Sequence, residues 1–148
     1  MRDHIKFINC VYKLKKEITI NEKNEINEMI LSCFDNSRFK FYEEIVYYKY
    51  NGKIIGFAGL YFIDKYLSIN QLCVNKDYRR LGIGSTILDF IIEIHKNKSL
   101  ILYIDKNKKD TNCLFNFYSN RGFKLIEYLK TFNLIYEKDY EYLMIRET

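Results

Sequence analysis

Two β-rich runs, Ile45–Tyr50 and Lys53–Ile63, are joined by Asn51-Gly52, and this junction constrains the fold more than any other feature. Asn-Gly readily adopts the positive φ angles of a two-residue type I′ turn, which connects antiparallel strands. After a short polar break, Tyr66–Val74 alternates between its two faces in the manner of a third strand. The middle of the chain is therefore predicted to be an antiparallel meander of three strands.

The spacing of apolar residues divides the rest of the chain into strands and helices. Further strands are predicted at Ile5–Leu14, Leu100–Ile104, Phe123–Leu129 and Tyr140–Arg146. Helices are predicted at Asn24–Phe34, after Gly82-Ile83-Gly84, and at Thr111–Asn120, with a left-handed cap at Arg121-Gly122 and a loop at Lys130–Asp139. The order β-α-β-β-β-α-β-α-β-β indicates an α/β fold with a mixed, partly antiparallel central sheet of six to seven strands flanked by helices.

Length and composition indicate a single domain over residues 1–148, with no linker and no internal repeat. Hydrophobic residues make up 48% of the chain, which excludes a disordered protein. No apolar run reaches the roughly 18 residues that a membrane span requires. The first twelve residues mix charged and apolar side chains, so no signal peptide is indicated. We therefore expect a cytoplasmic protein without a membrane partner.

Charge and cysteine content argue against two further classes of function. The net charge of +5 is spread almost evenly along the chain, which argues against a nucleic-acid partner. The cysteines contain no CxxC pair and the chain has only two histidines, so neither a metal site nor a disulfide framework is indicated. All four are predicted to be small, buried apolar residues. These cysteines are Cys10, Cys33, Cys73 and Cys113.

The segment Leu72–Ser85 carries the most informative motif, because a strand there enters a basic, glycine-containing turn that opens a helix. Such a turn presents free backbone N–H groups and the positive end of the helix dipole to an anion. Two glycines let the backbone approach the anion and three cations surround it. These residues are Gly82, Gly84, Lys76, Arg79 and Arg80. The GxGxxG and GK[ST] phosphate motifs are absent from the turn, so a different phosphate-binding turn is indicated.

The run Arg79-Arg80-Leu81-Gly82-Ile83-Gly84 resembles the R/Q-x-x-G-x-G/A signature of the GNAT superfamily of acyl-CoA-dependent N-acyltransferases. The preceding Leu72-Cys73-Val74 is similar to the L-x-V ending of the family's strand. Phe117-Tyr118-Ser119-Asn120-Arg121-Gly122-Phe123 is similar to its F-Y-x-x-x-G-F helix ending. The resemblance covers residues 45 to 125 by motif and the rest of the chain by element order.

The resemblance implies a GNAT-like domain with a sheet splayed in the middle and acetyl-CoA as co-substrate, without a metal. Backbone amides of Arg79–Gly84 would hold the pyrophosphate, and those of Leu72 and Val74 would pair with pantetheine as an added strand. Tyr118 matches the family's usual general acid, which would protonate or hydrogen-bond the departing thiolate. The cofactor-binding positions are Leu72, Cys73, Val74, Arg79, Arg80, Leu81, Gly82, Ile83, Gly84, Ser85 and Asn112.

Three departures from the family pattern concern the pantetheine arm and the catalytic base. The family often has Asn seven residues before the tyrosine, where this chain has Thr111, with Asn112 next, and Leu114 stands where the family usually has a small Ala. The strand Tyr66–Val74 has no Asp or Glu, although many relatives carry a base there. Deprotonation of an amine would then require an ordered water chain, an already neutral acceptor, or a carboxylate from elsewhere. The candidate carboxylates are Glu43, Glu44 and Asp64.

The resemblance predicts transfer of acetyl to a primary amine by direct attack, and the missing carboxylate leaves a non-catalytic acyl-CoA-binding domain as the alternative. The acceptor stays open among protein N-termini, lysines, polyamines, aminoglycosides and small metabolites, and the chain is expected to be a monomer or a homodimer. Lys106–Lys109 is either a solvated loop or a contact for the CoA 3′-phosphate. His95 is interpreted as a helix-capping residue.

Overall fold

The computed structural model describes residues 6–34, 42–105, 111–126 and 141–148. Seven strands are present there: β1 Cys10–Leu14, β2 Glu44–Tyr50, β3 Lys53–Ile63, β4 Tyr66–Val74, β5 Leu100–Asp105, β6 Lys124–Ile126 and β7 Glu141–Arg146. Three helices flank them: α1 Ile20–Phe34, α2 Ile83–Ile94 and α3 Thr111–Ser119. The strands form one mixed sheet with the order β1-β2-β3-β4-β5-β7-β6. The predicted α/β fold and element order are confirmed.

The predicted boundaries are wrong at the start of the chain. The first strand begins at Cys10 rather than Ile5, and α1 begins at Ile20 rather than Asn24. Three predicted features lie outside the described residues: the basic run Lys106–Lys109, residues 127–129 of the sixth strand, and the loop Lys130–Asp139.

The chain divides into two compact units, each with a hydrophobic core. The first unit comprises residues 1–61 and 70–95, and the second comprises residues 62–69 and 96–148. Within the described ranges, no helix is both long enough and apolar enough to cross a bilayer.

The hairpin of the first unit confirms the type I′ prediction at Asn51-Gly52. Both residues have positive φ angles, 50° and 77°, as that turn requires. Strand β2 pairs antiparallel with β3 and, on its other edge, antiparallel with β1. A β-bulge shifts the β2–β3 register between Tyr48 and Lys49.

Helices α1 and α2 bury the apolar stripes that their spacing predicts. From α1, Ile26, Met29 and Ile30 enter a core with residues of β2 and β3. The buried residues of α2 are Ile83, Ile87, Leu88 and Ile91. A Cβ at Gly56 of β3 would lie 2.7 Å from Ile87 Cδ1, so the missing side chain lets α2 pack closely on this strand.

A reciprocal capping box fixes the start of α1. The Glu22 amide donates to Thr19 Oγ1 at 3.1 Å, and the Thr19 amide donates to Glu22 Oε1 at 2.9 Å. Lys13 Nζ and the Tyr47 hydroxyl also donate to this carboxylate, at 2.7 Å and 2.5 Å. Burial alone would raise the pKa of Glu22, but these hydrogen bonds outweigh it and lower the pKa to about 2. The carboxylate therefore ties α1 to β1 and β2.

In the second unit, β7 pairs antiparallel with both β5 and β6. Strand β4 pairs with β5 in parallel through Leu67↔Leu100 and Ser68↔Ile101, near the start of each strand. Tyr66, Ile101, Leu143 and Ile145 form the core of this unit. The left-handed cap predicted after α3 is confirmed, because Gly122 has φ 89°.

Candidate active site

The turn that follows β4 is shaped by backbone and side-chain hydrogen bonds. The Asn75 amide donates to the Ile55 carbonyl at 2.8 Å, and its side-chain oxygen accepts from the Asp77 amide at 3.0 Å. A short 3₁₀ turn, Lys76–Tyr78, follows. The strand therefore ends at Val74, and the chain reaches the start of α2 through a compact turn, as predicted.

Two left-handed residues direct the turn into α2. Arg80 has φ 65° and Gly82 has φ 80°, a conformation that glycine adopts without strain. Gly82 is the N-cap of α2 and provides no side-chain hydrogen bond to the amides of the first helical turn. These amides and the helix dipole are thus available to an anion.

The two glycines have different surroundings. Nothing lies within 4 Å of a Cβ built at Gly82, and a Cβ at Gly84 would make only an ordinary 3.6 Å contact with Val74 Cγ2. Packing within the protein therefore does not require glycine at position 84. A requirement for a small residue there would come from a ligand.

The basic residues of the turn lie at the surface, as their interpretation as cations around a bound anion requires. Lys76, Arg79 and Arg80 are exposed, as is Leu81, whose side chain is 70% exposed. Arg79 is anchored, since its Nε donates to the Val74 carbonyl at 3.0 Å. Arg79 Nη2 lies 3.5 Å from Cys33 Sγ. One cation of the turn is thus held against the end of β4.

The last part of β4 departs from regular strand geometry at Gln71, which has φ 53°. This left-handed conformation is uncommon for a residue other than glycine and interrupts the pleat immediately before Leu72. The hydroxyl of the fully buried Tyr42 donates to Gln71 Oε1. A Cβ at Gly59 would overlap the Tyr42 ring, so this glycine makes room for it. Neither Tyr42 nor Gly59 carries a sequence signal for its contact at the end of β4.

The prediction that all four cysteines are separate buried apolar residues is wrong. Cys33 of α1 and Cys73 of β4 form a disulfide, with 6.4 Å between their Cα atoms. Cys113 is exposed, and Cys10 is partly buried, which raises its pKa to about 11. The pair is 40 residues apart in sequence and meets only because α1 packs on β4. The side chain of Cys73 is thus in the core and bonded to Cys33.

Tyr118 lies near the end of α3 and is 8% exposed. Its ring packs edge-on against Phe117 and Phe123, with centroids 5.1 Å and 5.7 Å away. Its carbonyl accepts from the Arg121 and Phe123 amides at 3.0 Å and 3.2 Å, which closes the helix end. Burial raises the pKa of the Tyr118 phenol to about 12. The phenol therefore keeps its proton at neutral pH, as a general acid must.

Asn112, which is predicted to bind the cofactor, lies in the first turn of α3, and its side chain is exposed. Leu114, which stands where relatives usually have alanine, is half-buried. Asn112 and Tyr118 belong to the second unit, whereas Leu72–Ser85 belongs to the first.

Glu44, one of the three candidate bases, is engaged in a buried cluster of the first unit. Its carboxylate is 2.9 Å from His95 Nε2 and accepts from the Tyr12 hydroxyl at 2.5 Å. His95 is the C-cap of α2, and its amide donates to the Ile91 carbonyl, as its interpretation as a capping residue predicts. The other candidates, Glu43 and Asp64, are exposed. Among the described residues, no group of three or more potential ligands could hold a metal ion.

An open, polar cleft of about 790 Å³ lies in the second unit. It is lined by Asp64, Lys65, Asn97 and Lys98 among others, residues that precede or begin β4 and β5. Ligands of α/β sheets bind outside the carboxyl ends of the strands, whereas this cleft lies at the amino ends. We therefore do not assign it to the acyl donor.

Comparisons with known proteins agree with this geometry. The model of the Acetyltransferase (GNAT) family matches residues 11–123. Escherichia coli ElaA has a similar structure, with a TM-score of 0.72 and 15% identity over 93% of this chain and 98% of that protein. A GNAT-family acetyltransferase from Staphylococcus aureus Mu50 gives a TM-score of 0.68 and 22% identity over 93% and 98%.

A third similar structure is that of Arabidopsis thaliana Naa50 in complex with the bisubstrate analogue CoA-Ac-MVNAL. It gives a TM-score of 0.66 and 16% identity over 95% of this chain and 99% of that protein. These three structures share the fold, and the family match covers most of the chain, including the turn between β4 and α2. The chain therefore belongs to the acetyltransferase (GNAT) family of acyl-CoA-dependent N-acyltransferases.

Proposed function

We propose that the protein transfers the acetyl group of acetyl-CoA to a primary amine by direct attack through a tetrahedral intermediate. The start of α2 carries this proposal: left-handed Arg80 and Gly82 lead into a helix whose first-turn amides have no N-cap side-chain partner. The amides of Arg79–Gly84 would bind the CoA pyrophosphate there. The exposed Lys76, Arg79 and Arg80 would add positive charge around it.

The end of β4 would bind the pantetheine arm by strand addition. The ladder of β4 with β5 pairs Leu67 and Ser68, upstream of the kink at Gln71. Downstream of the kink, the backbones of Leu72 and Val74 would exchange hydrogen bonds with the pantetheine amides. The contribution of Cys73 would come from its backbone, because its side chain is bonded to Cys33.

Tyr118 would act as the general acid. When the amine attacks the thioester carbon, the carbonyl oxygen gains negative charge, and collapse of the tetrahedral intermediate expels the CoA thiolate. A buried phenol whose pKa is raised to about 12 is protonated at neutral pH and would donate a hydrogen bond or its proton to this thiolate, with the raised pKa favouring the hydrogen bond over full transfer. Ser68, Asn70 and Gln71 of β4 are not bases, so the amine would lose its proton to an ordered water chain or to a carboxylate from elsewhere in the chain, or would arrive neutral.

A thiol-release assay tests this function and separates it from the alternative of a non-catalytic acyl-CoA-binding domain. Acetyl-CoA is incubated with the protein and with one amine at a time, from peptides with a free N-terminus, lysine derivatives, polyamines, aminoglycosides and amino metabolites. We expect free CoA thiol to be released at least about 100-fold faster than in the absence of amine for one class. If acetyl-CoA binds but no class accelerates release, the protein only binds the donor.

A further inference from the structure

The disulfide between Cys33 and Cys73 joins α1 to the strand that leads into the phosphate-binding turn. Cys73 is 4% exposed, whereas Cys33 is half-buried and is the more accessible sulfur. The proposed acyl transfer uses neither sulfur. The bond instead spans 40 residues of sequence and fixes the end of α1 beside the end of β4.

The disulfide also touches the turn itself. Arg79 donates from Nε to the Val74 carbonyl at 3.0 Å and from Nη2 to Cys33 Sγ at 3.5 Å. The position of the Cys33 sulfur thus helps to fix a guanidinium that belongs to the turn. A change at this sulfur changes the surroundings of Arg79 directly.

The surroundings of Cys33 and Cys73 also provide hydrogen-bond acceptors for the two thiols of the reduced form. Cys33 Sγ lies 3.7 Å from the Val74 carbonyl oxygen, and Cys73 Sγ lies 3.7 Å from the Met29 carbonyl oxygen. After reduction, each S–H would have a backbone acceptor within reach. Opening the bond therefore leaves neither thiol without a hydrogen-bond acceptor, but it removes the covalent link between the end of α1 and the end of β4.

We propose that Cys33 and Cys73 form a reversible thiol-oxidation site whose state sets the affinity for acyl-CoA. This inference rests on the proposed function of the turn. A dithiol reductant would open the bond: one thiolate attacks Cys33 Sγ, and the Cys73 sulfur leaves and takes a proton. The second thiol of the reductant then displaces Cys33 and becomes oxidised to a disulfide. In the reverse direction, a low-molecular-weight disulfide such as glutathione disulfide accepts the two electrons and two protons.

The disulfide form binds acyl-CoA more tightly than the reduced form. The bond holds α1, Val74 and Arg79 in one arrangement before acyl-CoA arrives, so binding costs less ordering of the turn. We expect reduction to raise the Kd for acetyl-CoA about fivefold. Because the bond closes a loop of 40 residues, reduction should also lower the Tm by about 10 °C.

The test combines a thiol readout with a binding readout on the full chain. The protein is equilibrated with glutathione disulfide or with dithiothreitol, alkylated in denaturant, and analysed by mass spectrometry, while calorimetry on the folded protein measures the Kd for acetyl-CoA in each state. We expect two alkylated cysteines after oxidation and four after reduction, with peptides assigning the protected pair to Cys33 and Cys73. The paired variant Cys33→Ala/Cys73→Ala should show the weaker Kd in both states.

The matched control is Cys113→Ala, which removes an exposed free cysteine and should keep the redox response of the wild type. Four alkylated cysteines after oxidation, or equal Kd values for oxidised and reduced wild type, would overturn the inference without needing any variant. If acetyl-CoA binds in neither state while the disulfide forms, the proposed function fails and the coupling fails with it. The alkylation pattern distinguishes this outcome from a missing disulfide.

Discussion

Replacing Gly84 by glutamate is expected to weaken binding of acetyl-CoA strongly while leaving the fold intact. Gly84 lies in the first turn of α2, where the amides are proposed to bind the CoA pyrophosphate. A carboxylate there places a negative charge and additional atoms against that group. With about 4 kcal/mol of repulsion at 4 Å in a protein-surface dielectric, we expect the Kd to rise at least about 100-fold.

We expect Gly84→Glu to raise the Kd for acetyl-CoA without lowering the Tm. A Cβ at Gly84 meets only Val74 Cγ2, at 3.6 Å, and an acidic side chain in the first turn interacts favourably with the helix dipole. Gly84→Ala is the matched control, since the family signature accepts alanine and the Cβ has room; its Kd should stay within about threefold of the wild type. Calorimetry gives both Kd values and thermal unfolding gives the Tm. Equal Kd values for the two variants would contradict a pyrophosphate site at this turn.

The Tyr118→Phe variant is expected to lose about 100-fold to 1000-fold in kcat, with little change in the KM for acetyl-CoA. The hydroxyl is proposed to act only when the thiolate leaves, so its loss raises the barrier without weakening the ground-state complex. Tyr66→Phe is the matched control, because Tyr66 is a buried tyrosine of the same unit and is 5% exposed. A fall in kcat of similar size in both variants would argue that Tyr118 has a packing role.

The pH dependence supplies a second readout for Tyr118. A general acid works in its protonated form, and burial raises the pKa of this phenol to about 12. Loss of the Tyr118 proton should therefore not reduce kcat below about pH 11. A fall in wild-type kcat between pH 8 and pH 10 that is absent from Tyr118→Phe would contradict this assignment.

Local sequence signals predicted most of the fold. Asn51-Gly52 has the positive φ angles that a type I′ turn needs, and Gly122 has the left-handed conformation predicted for the end of α3. The start of α1 does carry a local signal, because Thr19-Ile20-Asn21-Glu22 has the T-x-x-E pattern of a capping box. Apolar spacing alone predicts a start at Asn24, close to the first buried residue of α1, Ile26.

Features that depend on distant residues could not be predicted in the same way. The Cys33–Cys73 disulfide requires α1 to pack on β4, and a spacing of 40 residues carries no sign of it. Gln71 is left-handed and accepts a hydrogen bond from Tyr42, and glutamine is not a residue type that signals a turn. The turn between β4 and α2 could be predicted from the sequence because each of its requirements is local: a strand end, two glycines and a helix start.

Hydrogen–deuterium exchange with and without acetyl-CoA would locate the bound donor on the chain. Peptides that cover residues 79–86 contain the turn and the first amides of α2, which have no N-cap side-chain partner. We expect acetyl-CoA to slow exchange most strongly in these peptides and next in those covering Leu72–Val74. Protection confined to other segments, or no protection at saturating acetyl-CoA, would contradict an acyl-CoA site at the turn between β4 and α2.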